Sequence, residues 1–500
     1  MCVIGGGPVG LSVARRVAES GRSVVLLERG GLVAQPQSAS DDVGFDARAY
    51  GGATSGRAYG IGGTSALWGG QLLPIMEHEL DGSLGSDRLG WPIRIGDVGP
   101  YYSILDRWLN IDASPFEVGG DFPHPIAGLD WTGFAPRYSK WIHFGRRHMW
   151  TAWKKDLLGN RSLRIWLNCR VTGMMREGRR IHRVIACGSH ARMIVSTQRV
   201  VLAAGAIEST RLALAMFDSP EMIASRPAAL GSYLHDHLSL RVARIETIRH
   251  GRMRSLFSPV FRDGVMRTLR IEATSENVRS GSLPSAYAHI VAEADPGSGF
   301  AIARDVLRAL QRGRPSDALR SFARVPAAMP ELVEMAFWRI ARRRLVAPKR
   351  ASLHLHVDFQ QTPDVRNRIY LAQDRDPDGC RRVRIDWRVF DDVAHWISQI
   401  EPHLRVLWHK NHLERAALLK FYERPAAAAF DLSNGYDIFH PAGTTRMGLD
   451  PESGCVDRDL LLFGTENLFI ASTSVFPSLG AANPTYTAMA LGIRLADHLV

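Results

Sequence analysis

The chain has 500 residues, 45% apolar and 22% charged, too many for one ordinary core and pointing to two or three domains, and without the run of about eighteen apolar residues that a spanning helix needs. Its net charge is +12, almost all of it Arg, with no nucleic-acid motif alongside, so a nucleic-acid partner is not expected. The five cysteines (Cys2, Cys169, Cys187, Cys380, Cys455) include no C-x-x-C pair, which argues against a disulfide framework or a cysteine zinc site and suits a reducing compartment.

Cys2-Val3-Ile4 reads as a short buried strand running into Gly5-Gly6-Gly7-Pro8-Val9-Gly10, a G-x-G-x-x-G loop. Leu11, Val13, Ala14, Val17 and Ala18 then recur at helical spacing. Gly21 ends that helix, and Val24 to Leu27 form a second strand closed by Glu28. In such a unit Gly5 permits the tight turn, Gly7 lets a pyrophosphate approach, and Gly10 lets helix and strand pack closely. The helix N-terminus faces phosphate and Glu28 accepts from a ribose hydroxyl. The unit specifies a dinucleotide without choosing between FAD and NAD. Met1 almost abuts the first strand, leaving no room for a secretory leader, so the expected location is the cytoplasm; a start further upstream would open the periplasm.

A polar loop follows from Gln35 to Asp46, then a stretch from Gly60 to Gly70 rich in Gly, Thr and Ser, whose backbone N–H groups suit a closely approaching ligand. A helix is expected to start near Pro100. Residues 112–140 look like a long excursion, a lid or a subunit contact. From Leu163 the pattern turns to strands, with a hairpin between Arg183 and Val195 and a buried strand from Arg199 into Ala203-Ala204-Gly205-Ala206. His235-Asp236-His237 suggests a metal only weakly, because no distant third ligand is apparent.

Residues 301–350 are the most basic block and read as amphipathic helices broken near Pro315, Pro326 and Pro330. A solvated helical cap is the favoured reading, with a peripheral membrane or protein contact as the alternative. Ser352 to Phe359 alternate as a strand that puts His354, His356 and Asp358 on one face, either lining a polar pocket or facing water. Two further strands, Arg368–Leu371 and Val383–Trp387, and a helix from Asp391 to about His409 complete this part. Near the end come His440-Pro441-Ala442-Gly443-Thr444-Thr445-Arg446-Met447-Gly448, a strand over 467–471, and Asn483-Pro484-Thr485 entering a last helix. Asn483 stands where an N-cap belongs.

These segments together resemble the glucose-methanol-choline (GMC) flavin oxidoreductases. The resemblance is carried, in order, by the glycine unit, Gly62-Gly63-Thr64-Ser65, Ala203 to Ser209, His440 with Gly443 to Gly448, and Asn483-Pro484-Thr485; it is weakest over 240–350. It implies an α/β fold, α+β overall: a Rossmann-like FAD-binding domain (1–75, 155–238 and 430–500) beside a substrate domain (76–154 and 239–429) built on an antiparallel sheet covered by helices. It places FAD on Gly5, Gly7, Pro8, Val9, Gly10, Glu28, Gly63, Thr64, Ser65, Ala66, Val171, Ala204, Gly205, Ser474, Asn483, Pro484 and Thr485. His440 and Asn483 correspond to the catalytic pair.

A neutral His can take the hydroxyl proton while a hydride leaves to the flavin, and an Asn amide can orient the same oxygen. Leu67 stands where some pyranose oxidases tether FAD, so the cofactor is expected to be non-covalent. The resemblance is nearest to the sugar-oxidising branch, which implies a sugar or glycoside hydroxyl as substrate, with His354, His356 and Gln360 as candidate substrate ligands and no metal. The alternatives are an aliphatic, aromatic or steroid alcohol, or a non-redox lyase or binding protein retaining FAD. The electron acceptor, whether oxygen, a quinone or a separate cytochrome or small subunit, is not encoded in these motifs.

Overall fold

The computed structural model describes residues 1–36, 43–84, 89–118, 125–188, 191–293, 295–311, 315–322, 324–349, 351–389, 392–423 and 435–500. Five short parallel strands form one sheet in the order Leu468–Ile470, Val200–Leu202, Cys2–Ile4, Val24–Leu27 and Leu163–Trp166. The central strands are apolar throughout because helices cover both faces. The helix Pro8–Glu19 leaves the first strand, and the last helix, Pro484–Leu499, packs along it. That approach needs Gly492, whose Cβ would stand 3.0 Å from Val9 Cγ1, and it is pinned by Arg16, which donates to Asp497 at 2.6 Å. Gly10 is equally constrained: a Cβ there would lie 1.9 Å from the Gly5 carbonyl oxygen.

Among the described residues the second large element is a nine-stranded sheet. Its main path runs Ala417–Phe421, His237–Thr247, Ser352–Gln360, Ala286–Glu293, Val265–Ala273, Phe134–Trp141 and Gln71–Leu72, paired antiparallel. Directly paired residues of an antiparallel sheet share a face. The register His237↔Gln360, Ser239↔Asp358, Asp358↔Tyr287, His356↔His289, Tyr287↔Glu272, Arg270↔Arg137 and Thr268↔Ser139 therefore builds one polar face. Leu238, Leu240, Val357, Phe359, Ala286, Ala288 and Ile271 form the apolar underside.

Local features depart from the sequence reading in four places. The helix expected from Pro100 begins at Ile95, because the Asp97 carboxylate accepts from the Arg94 N–H and caps it. The hairpin expected over 183–195 is a three-stranded meander of Arg170–Glu177, Arg180–Cys187 and Arg192–Ser196. The basic block forms helices Gly299–Gln311, Pro315–Phe322 and Val325–Ala341, with Pro330 inside the third rather than at a break. The excursion over 112–140 ends in the strand Phe134–Trp141, and its residues 119–124 lie outside the described residues.

Candidate active site

A long cleft runs from the glycine loop to His440. Gly5, Gly7, Pro8, Val9, Glu28, Gly63, Thr64, Val171, Ala204, Gly205, Pro484 and Thr485 line it. Three helix N-termini open on it, at Pro8, Gly205 and Pro484, and none of the three is capped by a side-chain hydrogen bond. Their free N–H groups and dipoles make a cradle for anionic oxygens. At Gly7 and Gly205 no heavy atom lies within 4 Å of where a Cβ would stand, so the open side of each residue is the cleft itself. Beyond Glu28, Arg29 lies over the Tyr59 ring at 4.1 Å, giving the far end a flat cationic wall. These residues fit a dinucleotide.

Glu28 is more heavily engaged than the sequence suggests. Its Oε2 accepts from Gly6 N–H at 2.7 Å, and its Oε1 accepts from Gly30 at 2.8 Å and Gly60 at 3.0 Å. The carboxylate therefore ties three glycine segments together and keeps about one acceptor position for a ribose. Ser65 and Ser474 correct the sequence reading. Ser65 donates to the Gly62 carbonyl and accepts from Met149 N–H, and Ser474 is buried between Thr445 and Ser472 hydroxyls at 2.6 Å each. Both hold loops together, and Ser472 and Thr473 reach the cleft instead. Gly10 acts in helix packing, while Ala66 is exposed and does not line the cleft.

At the inner end, His237 Nδ1 and His440 Nδ1 lie 3.0 Å apart. His237 Nε2 is 2.7 Å from the Gly480 carbonyl oxygen, which can only accept, so Nε2 carries a hydrogen. Burial pushes the His237 pKa down to about 4, so the ring is neutral and its Nδ1 is a bare acceptor. His440 must then donate from Nδ1, which leaves His440 Nε2 with the free lone pair. Burial, with the nearby His237 and Arg270, holds the His440 pKa well below its ordinary value. The ring is thus neutral, in a defined tautomer, on the wall of the cleft.

The backbone beneath this pair is fixed by buried Asp236. It accepts from His237 N–H at 2.6 Å, from His440 N–H at 2.8 Å and from the Tyr50 hydroxyl. Among the described residues, Asp236, His237 and His440 bring three potential metal ligands within 4.8 Å, with His440 as the third ligand that the sequence did not reveal. Their donors and acceptors are already matched to one another without an ion. His235 is buried apart from them, with Nδ1 on the Tyr233 carbonyl at 2.8 Å.

Asn483 occupies the N-cap position of the last helix but makes no side-chain cap. Its Oδ1 accepts from Arg270 Nη2 at 2.6 Å. A guanidinium only donates, so the amide orientation is determined and Asn483 is left with its Nδ2 hydrogens to offer. Arg270 is buried, donates to the Ala481 carbonyl at 3.2 Å and lies 3.7 Å over the Tyr287 ring. The turn 479–483 thus anchors both halves of the site, His237 through Gly480 and Arg270 through Ala481. Glu79 holds the same turn from behind through Ala481 N–H, and burial raises its pKa.

The three residues expected to touch substrate divide differently. Gln360 is committed to the turn: its Oε1 accepts from Leu479 N–H at 2.6 Å and Gly480 N–H at 2.7 Å, and its Nε2 donates to the Leu84 carbonyl at 3.0 Å. His354 sits six residues along the strand, about 20 Å away, and contacts Tyr422 and Glu293. His356 lies on the polar face, with Nδ1 3.2 Å from the Ser239 hydroxyl. Arg270, Tyr50 and Glu79 were not found by sequence reasoning, since each is an isolated polar residue until the sheet and the turn bring it in. Asp236 and His237 were visible only as a weak metal motif.

Residues 363–492 match the sequence profile of the GMC oxidoreductase family. The whole chain is similar to 2-methyl-1,2-propanediol dehydrogenase of Mycolicibacterium austroafricanum, at 22% identity over 99% of this chain and 94% of that enzyme. It is also similar to the oxygen-dependent choline dehydrogenase of Brucella anthropi, at 22% identity over 100% of this chain and 95% of that one. Among solved structures, pyridoxine 4-oxidase from Mesorbium loti superposes with a TM-score of 0.63 at 18% identity, covering 99% of this chain and 98% of that one. The fold is the mixed α/β one of these enzymes, a Rossmann-like nucleotide unit beside antiparallel sheets.

Proposed function

We propose that this chain, which carries the C-terminal segment of the GMC oxidoreductases and is by that kinship an FAD-dependent enzyme acting on a CH–OH donor, oxidises the hydroxyl of a sugar or glycoside with His440 as base. The observation that carries the assignment of the base is the 3.0 Å contact between His237 and His440, which leaves His440 Nε2 unprotonated on the cleft wall. FAD would be held non-covalently along Gly5, Gly7, Pro8, Val9, Glu28, Gly63, Thr64, Gly205, Pro484 and Thr485, since Leu67 offers no tether.

Bound FAD supplies the hydride acceptor. The chain's own residues do the rest. His440 Nε2 takes the hydroxyl proton of the substrate, and the charge that gathers on that ring is shared with His237 through the Nδ1 hydrogen bond. Asn483 Nδ2–H donates to the substrate oxygen and is held in that orientation by Arg270. The helix that starts at Pro484 points its N-terminus into the cleft and favours negative charge there.

The polar face of the large sheet supports a hydroxyl-rich substrate. Tyr287 and His289 meet at Asp358, and Arg270 meets Asn483, a polar surround that suits a hydroxyl-rich substrate better than an apolar alcohol. A small non-sugar alcohol is the second reading, favoured by the diol and choline enzymes among the relatives. Anaerobic bleaching of the flavin by a panel of monosaccharides, glycosides, diols, choline and aryl alcohols separates the two. Sugars should bleach it at the lowest concentrations; bleaching by choline or aryl alcohols alone would overturn the sugar assignment. Admitting air afterwards tests oxygen as acceptor.

A further inference from the structure

The helix Val325–Ala341 carries an apolar row that faces outward. Met329, Val333, Phe337 and Ile340 are 51%, 63%, 56% and 79% exposed. Spacings of four, four and three residues put them on one side of the helix over about 17 Å. Leu319 and Phe322 of the preceding helix are exposed as well. Single exposed apolar residues are ordinary, but a periodic row of large ones is a contact surface.

Among the described side chains, the exposed charges on this helix and beside its apolar row have one sign. The two acids of the helix turn back into the protein: Glu331 accepts from Phe300 N–H, and Glu334 pairs with Arg254 and Lys349. Arg320, Arg324, Arg339, Arg342 and Arg343 are exposed around the row. A second copy seated symmetrically on this face would bring arginine against arginine, so the occupant is anionic. An interface with a folded protein is centred on anchors that fill pockets and is rimmed by both donors and acceptors. Here the side chains are flexible and aliphatic, apart from Phe322 and Phe337, and the charged rim among the described side chains only donates.

We infer that the Val325–Ala341 helix lies on the surface of an anionic lipid membrane, with Met329, Val333, Phe337 and Ile340 entering the acyl boundary and the arginines on the phosphates. An amphipathic helix with an apolar side and a basic rim binds in this way. Among the described residues no helix is long and apolar enough to cross a membrane, so the attachment is peripheral.

The test is co-sedimentation of the purified, FAD-loaded chain with vesicles. It should pellet with mixed phosphatidylcholine–phosphatidylglycerol vesicles, remain in solution with phosphatidylcholine alone, and be released by high salt. Phe337→Asp with Ile340→Asp should abolish pelleting, and Met329→Asp reads the same row independently. Arg342→Gln and Arg343→Gln should each weaken partitioning about fivefold. All of these variants should keep the flavin spectrum, the melting temperature and alcohol-driven bleaching. The proposal is overturned if the wild type pellets with neither vesicle, or if the aspartate variants pellet unchanged. A concentration-dependent dimer that Phe337→Asp dissolves, or binding to an acidic protein without vesicle binding, would equally overturn it.

Discussion

His237 and His440 meet through their Nδ1 atoms, 3.0 Å apart, and the Gly480 carbonyl at the far side of His237 fixes which ring carries the shared hydrogen. Two neutral imidazoles in series thus set the tautomer of the base from a backbone oxygen. His440→Ala should keep the bound flavin and its absorbance yet slow its reduction by substrate by about two to four orders of magnitude, read by stopped-flow. Undiminished reduction would place the base elsewhere.

The role of His237 is to position. His237→Asn keeps an acceptor close to where Nδ1 stood, whereas His237→Leu removes it. The Leu variant should lose about tenfold to a hundredfold in the limiting rate of flavin reduction with little change in KM, and the Asn variant should recover part of that. Equal losses in both would indicate a packing role only.

Asn483→Asp separates donor from acceptor. The new carboxylate still receives Arg270, so fold and cofactor should be retained, but the Nδ2 donor is gone. Flavin reduction should fall by about a hundredfold with an unchanged melting temperature.

The pH dependence follows from the depressed pKa of His440. A base whose pKa lies below the ordinary 6.5 stays unprotonated as the pH falls through that value, so kcat/KM should remain flat there and drop only further into acid. Arg270→Met removes a positive neighbour, so the acidic limb should move to higher pH, whatever happens to the height of the plateau. A limb that stays in place or moves to lower pH would show that Arg270 does not act on His440.

Gly443 has φ +87°, and a Cβ there would stand 2.2 Å from the Tyr233 carbonyl oxygen and 2.5 Å from His235 Nδ1. Gly443→Ala should destabilise the fold by about 2–5 kcal/mol, from left-handed strain plus overpacking. A denaturant titration checks this.

The sequence displayed the nucleotide unit because each of its parts is local. Gly5, Gly7, Gly10 and Glu28 lie within one strand–helix–strand, and the loop geometry around Gly10 permits no side chain at all. His440 and Asn483 were legible from the segments around them. The partners that tune them were not. Arg270 reaches Asn483 across 213 positions and Asp236 reaches the His440 N–H across 204, so only the paired strands and the turn bring them together. Gln360 and Ser65 were misread for a related reason: a polar side chain beside a glycine-rich loop looks the same in sequence whether it faces a ligand or the loop's own backbone.

The parallel sheet places its earliest strand, Cys2–Ile4, next to Val200–Leu202, which pairs in turn with Leu468–Ile470, and the opening helix is clasped by the closing one through Arg16 and Asp497. The walls of the phosphate cradle at Pro8 and at Pro484 therefore meet only once the sheet between them is folded, and protein prepared without flavin should be cut by a protease first at the helices Pro8–Glu19 and Pro484–Leu499.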